Sequence, residues 1–509
     1  MDLAGWIDRQ AAFAPRKTAL VCDRRRLSYA ELADEVAAVA RALAAGGVGP
    51  GERVAHLGYN GAEQISLFFA CARLGALFVP LSWRLAPPEH AAMLADCRPR
   101  VLVVTDPFVA PTVEVAAAAA GPIRVTTGAP PAGWLDWDRF VASGARDPAP
   151  IDDPRGAPVL LCYTSGSTGA PKGVVHDQNA IFHNAVNSAH MHDLGSGDVI
   201  LTTLPLFHVG GLNIQTTPAF HAGATVVLHP RFDPPRVIDA IERDAITLTV
   251  LVPAQLELLA REPRWAGADL SGLRAVTTGS TIINDGFVRR NLTRDVPLLQ
   301  VYGSTETCPI AAYQRVADAP SHPGSIGKAA LHCEIRIVDE AGRDAAPGAS
   351  GEIWVRGPNV MRGYWMKPRE TAEVLAGGWY RTGDVAHADA DGWLAVDGRR
   401  RDVIISGGEN VYPAEIENVL VESPQIAEVA VVGRPDPRWG EAIVAVVVPA
   451  DGATLTREGV CALLEGRVAR YKHPRDVVFA QSLPRTALGK VRREDLKRLA
   501  RRESVAPPA

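Results

Sequence analysis

Tyr163 to Gly173 reads YTSGSTGAPKG and directly follows the apolar run Pro158 to Cys162. Two threonines, two serines, three glycines and one lysine are packed into these eleven residues. Glycine lets backbone N–H groups crowd an anion, hydroxyls add donors, and Lys172 adds a full positive charge. Those are the parts needed to hold a polyphosphate, set after an apolar run that reads as a strand. The spacing is not that of a Walker loop, which needs glycine, four residues, then Gly-Lys-Ser/Thr. Here Gly166, Gly169 and Lys172 fall at intervals of three, and Gly173 follows the lysine. A flexible Gly/Ser linker is the plain alternative, but linkers rarely follow a buried strand or carry a lysine within Pro171-Lys172-Gly173.

Outward from this segment, 509 residues exceed one ordinary core and imply two or more domains. A hydrophobic content of 47% with 22% charged residues is that of a globular protein. The formal net charge of −4 argues against a nucleic-acid or membrane-surface protein held by bulk electrostatics. Seven scattered cysteines without a CxxC suit reduced thiols in the cytoplasm, not a disulfide frame or zinc site. MDLAGWIDRQ carries early acids and no signal-peptide core. Ile65 to Leu81 is interrupted by Arg73 and reads as a buried helix followed by a strand, so no integral membrane segment is expected.

Helical periodicity runs from Tyr29 to Ala45 and stops at Gly46-Gly47. Short apolar runs at Arg53–Leu57, Val101–Thr105, Val199–Leu204, Thr225–Leu228 and Leu248–Val252 alternate with helical stretches, the pattern of largely parallel sheets. After about Ser325 the texture turns to short β segments at Glu334–Val338, Gly351–Val355 and Gly392–Val396. DADG, Asp389 to Gly392, is calcium-like only in miniature and reads as a turn. Beyond Gly398 a small unit follows: strand Val403–Ile405, helix Pro413–Glu422, strands Ile426–Val432 and Ala442–Val448, helix Thr456–Ala469. The expected architecture is a large N-terminal domain of layered α/β sheets plus a β-rich subdomain, residues 1–398. A short hinge, 399–402, and a small mobile α+β C-terminal domain, 403–509, complete it.

Four more segments gain meaning together: VYGSTET (Val301 to Thr307), YRTGD (Tyr380 to Asp384), GRRRDVIISGGENVYPAEIE (Gly398 to Glu417) and PRTALGK (Pro484 to Lys490). With the first loop, this set resembles the adenylate-forming superfamily of acyl-CoA synthetases, peptide-synthetase adenylation domains and beetle luciferases. The likeness covers nearly the whole chain in order and spacing. It implies that a carboxylic acid is joined to AMP from ATP with loss of pyrophosphate, and that the CoA thiol then displaces AMP. Both half-reactions build negative charge on phosphate or acyl oxygens, so fixed donors, cations and orientation should carry catalysis without a protein nucleophile. Consistently, the chain has no GxSxG elbow and no zinc-spaced His/Glu pair.

Residue by residue, the resemblance implies that Thr164, Ser165, Gly166, Ser167, Thr168, Gly169 and Lys172 hold the β- and γ-phosphates. Tyr302 and Gly303 meet adenine, with Gly279, Ser280 and Thr281 as the neighbouring wall. Thr305 contacts the α-phosphate, Glu306 helps hold Mg²⁺, and Asp384 with Arg399 binds the ribose. Taken alone, Glu306 would be a surface ion pair and Lys490 a solvated charge. The motif makes Lys490 the bridge between acyl carboxylate and α-phosphate. Arg401 stands at the hinge about which the small domain turns between half-reactions. Ser406, Gly407, Gly408, Glu409 and Asn410 then line the pantetheine tunnel, bordered by Trp439 unless that residue is simply core. Arg84 and His473 are candidates for the CoA phosphates, although relatives can carry arginine at the latter.

The acid pocket is expected beside FHVGGLN, Phe207 to Asn213, with His208 at its mouth and Val209, Gly210 and Gly211 following. The two glycines favour a long or aromatic acid over acetate. No basic residue stands near that segment along the chain before Arg231, which argues against diacids. With PRFDPPRVIDAIE, Pro230 to Glu242, the segment resembles the branch of fatty acyl and hydroxycinnamoyl or benzoyl CoA ligases. A carrier protein as acceptor and a luciferase-like oxidation remain alternatives at the motif level, as does a homodimer for assembly. About twenty residues follow Lys490, so no fused carrier is expected. A non-catalytic nucleotide sensor would typically have lost Lys490 or Glu306.

Overall fold

The computed structural model describes residues 2–23, 25–118, 121–164, 171–279, 288, 296–406, 409–468, 470–485 and 491–502. The helix over Tyr29–Ala45 begins where Ser28 Oγ accepts from the Glu31 N–H and the Glu31 carboxylate accepts from the Ser28 N–H. This capping box satisfies two of the donors that every helix start leaves open. The apolar stretch after it splits as its length demands, into helix Ala62–Leu74 and strand Leu77–Leu81.

Two large sheets hold the N-terminal part. In one, Leu77–Leu81, Arg53–Leu57, Val101–Val104, Ile123–Thr126 and Leu135–Asp136 run parallel in that order. On the far side of Leu77–Leu81 come Pro158–Thr164, Lys172–Asp177 and Gly363–Tyr364. In the other, Thr225–Leu228, Val199–Thr202, Leu248–Val250, Ala275–Gly279 and Leu298–Tyr302 lie side by side and parallel. The helix Ala62–Leu74 is buried along nearly its whole length, and Phe68, Phe69, Phe78 and Phe220 interlock in the main core. Each such ring contributes about 2 to 3 kcal/mol by leaving water. Sheets covered on both faces explain why the parallel strands are continuous apolar runs instead of alternating ones.

A third, antiparallel sheet contains Glu334–Val338, Gly351–Arg356, Trp379–Ala388 and Leu394–Arg399, the β-rich part expected after Ser325. A single turn of 3₁₀ helix, Arg400–Asp402, separates it from a fourth sheet. That sheet is built on the hairpin Ile426–Asp436 and Gly440–Pro449, with Ile404–Ser406, Glu409–Val411 and Asp476–Phe479 beside it. The helix expected over Thr456–Ala469 forms only over Arg457–Ala462. Gly466 sits at φ +70° beyond it, a conformation that does not continue a helix. DADG is a turn: Asp389 Oδ1 accepts the N–H groups of Asp391 and Trp393. All seven thiols are free, five of them buried. Among the described residues, no helix is long and apolar enough to cross a membrane.

Candidate active site

The loop that opened the sequence argument is the connection of an antiparallel hairpin. Pro158–Thr164 pairs with Lys172–Asp177, and Thr164 stands opposite Lys172. The Thr164 hydroxyl donates to the Lys172 carbonyl at 3.3 Å. Ser165, Gly166, Ser167, Thr168 and Gly169 lie outside the described residues, so the hairpin fixes where their chain leaves and returns. Its return strand is gripped from the other side: Trp365 N–H donates to Gly173 O at 2.7 Å and Arg362 N–H to Val175 O at 2.9 Å. This edge pairing sets Tyr364 beside Lys172, whose Nζ lies 5.1 Å over the ring centroid, within cation–π range.

Tyr364 also reaches the residue predicted to hold the metal. Its hydroxyl donates to Glu306 Oε1 at 2.9 Å. Glu306 sits in the 3₁₀ turn Thr305–Thr307, directly after the strand Leu298–Tyr302. Two main-chain anchors hold that turn: Met361 N–H donates to Glu306 O at 2.8 Å, and His176 Nε2 lies 2.7 Å from Thr305 O. His176 is fully buried, and burial lowers its pKa to about 4, so the neutral ring donates through Nε2. Burial first, and then the Glu306 charge, push the Tyr364 hydroxyl up, keeping it a donor. A single carboxylate with one oxygen so fixed and the other left over fits the way Mg²⁺ is held, by one or two carboxylates with its remaining ligands drawn from substrate phosphates and water.

The residues expected at adenosine meet one another. Tyr302 Oη donates to Asp384 Oδ2 at 2.8 Å, and Arg399 Nε lies 3.0 Å from Asp384 Oδ1. Asp384 and Arg399 are direct partners across adjacent antiparallel strands, so their encounter is built into sheet register. Gly383 precedes the aspartate at φ +71°, where its N–H donates to Glu352 Oε1 at 3.0 Å. A side chain there would be strained, which accounts for glycine in YRTGD. The Asp384 charge raises the Arg399 pKa against opposing burial. Gly279 and Gly303 are required by close backbone approach: a Cβ would lie 2.6 Å from Val301 O at the first and 1.5 Å from Pro309 O at the second. Ser280 and Thr281 lie outside the described residues.

His208 caps the short helix Val209–Gly211, its Nδ1 accepting the Gly210 N–H at 3.0 Å. Gly210 and Gly211 differ in role. A Cβ at Gly210 would meet only side chains, His208 Nδ1 at 3.0 Å and Ile214 Cδ1 at 3.9 Å. At Gly211 it would lie 2.3 Å from Pro205 O. The segment is not free of basic neighbours in space, although it is along the chain. The Arg84 guanidinium lies 4.9 Å over Trp83 and 5.9 Å over Phe207. Only the fold brings these two stretches together.

In the small domain, Arg401 is exposed, with Nε 3.9 Å from Asp402 Oδ1. Asp402 is held from beyond by Arg493, whose Nε lies 3.4 Å from Asp402 Oδ2 and which also pairs with Glu417. Trp439 is half-buried between two guanidinium groups, Arg438 at 4.9 Å and Arg475 at 4.3 Å. His473 Nε2 is 3.4 Å from Val468 O. Gly407, Gly408 and Lys490 lie outside the described residues; Glu409 begins the strand Glu409–Val411. The sequence reading missed His176, Tyr364 and Arg475. A lone histidine in a strand and a tyrosine in a two-residue strand carry no local signal, because their partners are more than fifty residues away.

The structure thus brings together the Gly/Ser/Thr-rich hairpin, the Thr305–Thr307 turn and the Asp384–Arg399 pair, the segments whose sequences resemble adenylate-forming enzymes. The chain belongs to the AMP-binding enzyme family: its family model matches residues 7–365, and the AMP-binding enzyme C-terminal domain matches residues 415–490. It is 57% identical over 506 residues to an indoleacetate–CoA ligase of Aromatoleum aromaticum, covering 99% of both chains. It is 43% identical over 499 residues to a feruloyl-CoA synthase of an Amycolatopsis species, covering 97% of this chain and 98% of the relative. Among solved structures it is similar to the anthranilate CoA ligase AuaEII in complex with anthranoyl-AMP. The TM-score there is 0.91 at 26% identity, covering 99% of this chain and 98% of that one. The protein is an AMP-forming acid–thiol ligase of the acyl-CoA synthetase class.

Proposed function

We propose that the acid is aromatic, of the indoleacetate type, and that CoA is the acceptor. The observation that carries this reading is full-length 57% identity to an indoleacetate–CoA ligase, joined to the side-chain-free position at Gly210 beside His208. Thr164 and Lys172, with the loop between them, grip the departing pyrophosphate. Tyr302, Gly279 and Gly303 receive adenine, Asp384 and Arg399 the ribose, and Thr305 the α-phosphate. Glu306 holds Mg²⁺, which neutralises phosphate charge when bound. Lys490 bridges acyl carboxylate and α-phosphate. The small domain turns at Arg401 between half-reactions, and Trp439 with Arg475 then faces the CoA entrance. The work is done in the cytoplasm, where ATP and CoA are supplied. A panel of indole-3-acetate, phenylacetate, ferulate and decanoate with ATP and CoA, scored for AMP and acyl-CoA, tests the reading. Indole-3-acetate should give the highest kcat/KM. A decanoate value above every aryl acid would reject the reading.

A further inference from the structure

The chain after Gly211 forms a single π-helical turn, Leu212–Thr216, all of it buried. The Thr217 N–H goes to Leu212 O, and Pro218 has no N–H, so the turn offers no donor of its own to Asn213 O. A buried carbonyl without a partner is costly. The Asn184 side-chain amide, on the helix Gln178–His192, meets this need by donating to Asn213 O at 2.6 Å. One turn further along that helix, the Ser188 hydroxyl donates to Ile214 O. His192 Nδ1 lies 2.9 Å from Ser188 O, and its Nε2 lies 2.9 Å from Thr277 Oγ1.

Asn184 differs from Ser188 in reaching a second segment as well. Its Oδ1 accepts the Ile310 N–H at 3.1 Å. Asn184, Asn213 and Ile310 are each 0% exposed. The orientation of the amide is fixed by its partners, because a carbonyl can only accept and a main-chain N–H can only donate. Ile310 stands four residues after Glu306, on the stretch that opens with the turn Thr305–Thr307. One buried side chain therefore spans from the segment of His208 and Gly210 to the segment of Thr305 and Glu306. A second contact runs beside it, with Asn213 Nδ2 3.5 Å from Cys308 Sγ. Sulfur is a weak acceptor, so the Asn184 amide is the firmer of the two links.

We infer that Asn184 is a positioning residue for adenylation: its amide sets the spacing between the segment that receives the acid and the turn that receives the α-phosphate and metal. The inference rests on the placement of the acid at Gly210 and of the nucleotide at Thr305 proposed above. Adenylation joins two separately bound groups, so its rate depends on how their supports are aligned. A misplacement of about 1 Å can cost about a hundredfold. Once the acyl-adenylate exists, a covalent bond holds the acyl group to AMP, and the second half-reaction no longer depends on that spacing. A residue that only supports folding has no such asymmetry.

The test measures both half-reactions on one preparation of each variant, with whichever acid the panel above ranks first. One assay follows single-turnover adenylation at saturating ATP and acid, the other thioester formation from preformed acyl-adenylate and CoA. Asn184→Ala removes the bridge, and its adenylation should fall by roughly ten- to a hundredfold. Its thioester formation should stay within about threefold of the unmodified enzyme. Asn184→Asp keeps an acceptor for Ile310 but not the amide N–H for Asn213, and should move the ratio in the same direction; it decides the matter if Asn184→Ala does not fold. The ratio is independent of how much of a preparation is folded. Ser188→Ala removes a bond from the same helix to the same π-helical turn and should leave the ratio within about threefold. An equal fall in both half-reactions on losing the Asn184 amide, or no fall in either, overturns the inference. A comparable change of ratio in Ser188→Ala overturns it too. Gly210→Trp separates the inference from the reading beneath it. An unchanged acid profile there removes the acid from this segment, and the inference with it. A shifted profile combined with an unchanged Asn184→Ala ratio overturns the inference alone.

Discussion

Tyr364 and Glu306 are joined by a 2.9 Å hydrogen bond although fifty-eight residues separate them. The same tyrosine presents its ring face to Lys172. One side chain thereby relates a cation on the strand Lys172–Asp177 to a carboxylate in the turn that follows the parallel strand Leu298–Tyr302. Neither partner sets this distance by itself. It comes from the antiparallel addition of Gly363–Tyr364 to Lys172–Asp177, which carries the β-rich region back to the first sheet.

Tyr364→Phe keeps the ring under Lys172 and removes the bond to Glu306. A hydrogen bond to a charged group contributes about 1.5 to 3 kcal/mol, so adenylation should fall by roughly ten- to a hundredfold. The magnesium concentration needed for half-maximal rate should rise as well. ATP–pyrophosphate exchange measured across a Mg²⁺ series checks both. A rate loss with an unchanged Mg²⁺ requirement would detach Tyr364 from the metal role of Glu306.

Asp384→Asn keeps the shape of the carboxylate and loses its charge. The side chain still faces Tyr302 and Arg399, but Arg399 loses its ion pair. The KM for ATP should rise by about tenfold or more, with a smaller change in the KM for the acid. Steady-state kinetics with each substrate varied in turn gives the comparison, and an equal rise in both would count against a ribose role.

Much of this architecture was legible because strand and helix signals are local. Tyr29–Ala45, Arg53–Leu57, Thr225–Leu228 and Glu334–Val338 form within the bounds their periodicity gives. The helix at Arg457 ends at Ala462, and Gly466 further on takes a left-handed conformation that bars the expected continuation to Ala469 and that periodicity alone does not reveal. Site residues divide in the same way. Glu306, Asp384 and Arg399 are singled out by motifs and proposed on that ground, whereas His176, Tyr364 and Arg475 meet neighbours distant in sequence that no local motif displays. Arg84 shows the converse: a cation absent from the neighbourhood of Phe207 along the chain stands over its ring in space.

Lys490→Ala should slow formation of the acyl-adenylate by on the order of a hundredfold or more, the scale of losing one transition-state donor. Thioester formation from preformed acyl-adenylate and CoA should be spared. Single-turnover assays of the two half-reactions separate the effects. An equal fall in both would remove Lys490 from its proposed role.

The two glycines after His208 should respond differently to the same methyl group. Gly211→Ala places a Cβ against the Pro205 carbonyl, where only the backbone can move, and should cost stability by about 1 to 3 kcal/mol. Gly210→Ala presses on the His208 ring, which can rotate, and should change the acid profile with little loss of thermal midpoint. The larger Gly210→Trp should shift preference toward short acids. Melting curves together with the acid panel distinguish these outcomes, and an unchanged profile in both Gly210 variants would exclude that position from the pocket.

Acid should destabilise the protein through its buried histidines. His192 and His176 are fully buried, and burial lowers both pKa values from 6.5 to about 4. Near His192, Arg274 opposes protonation while Asp198 and Asp193 favour it, and Arg274 and Asp198 pair with each other at 2.9 Å. Because the native pKa is depressed, the stabilisation is fully present above 6.5. It is lost as pH falls from there toward about 4, where the unfolded chain binds protons that the folded one refuses. Each histidine then contributes a slope of up to about 1.4 kcal/mol per pH unit, or about 2 kcal/mol at pH 5. His192→Gln retains a donor for Ser188 and an acceptor for Thr277 without titrating between pH 5 and 7.5. Its thermal midpoint should therefore drop less than that of the unmodified protein over this range, and an identical drop would show that the His192 imidazole titrates normally.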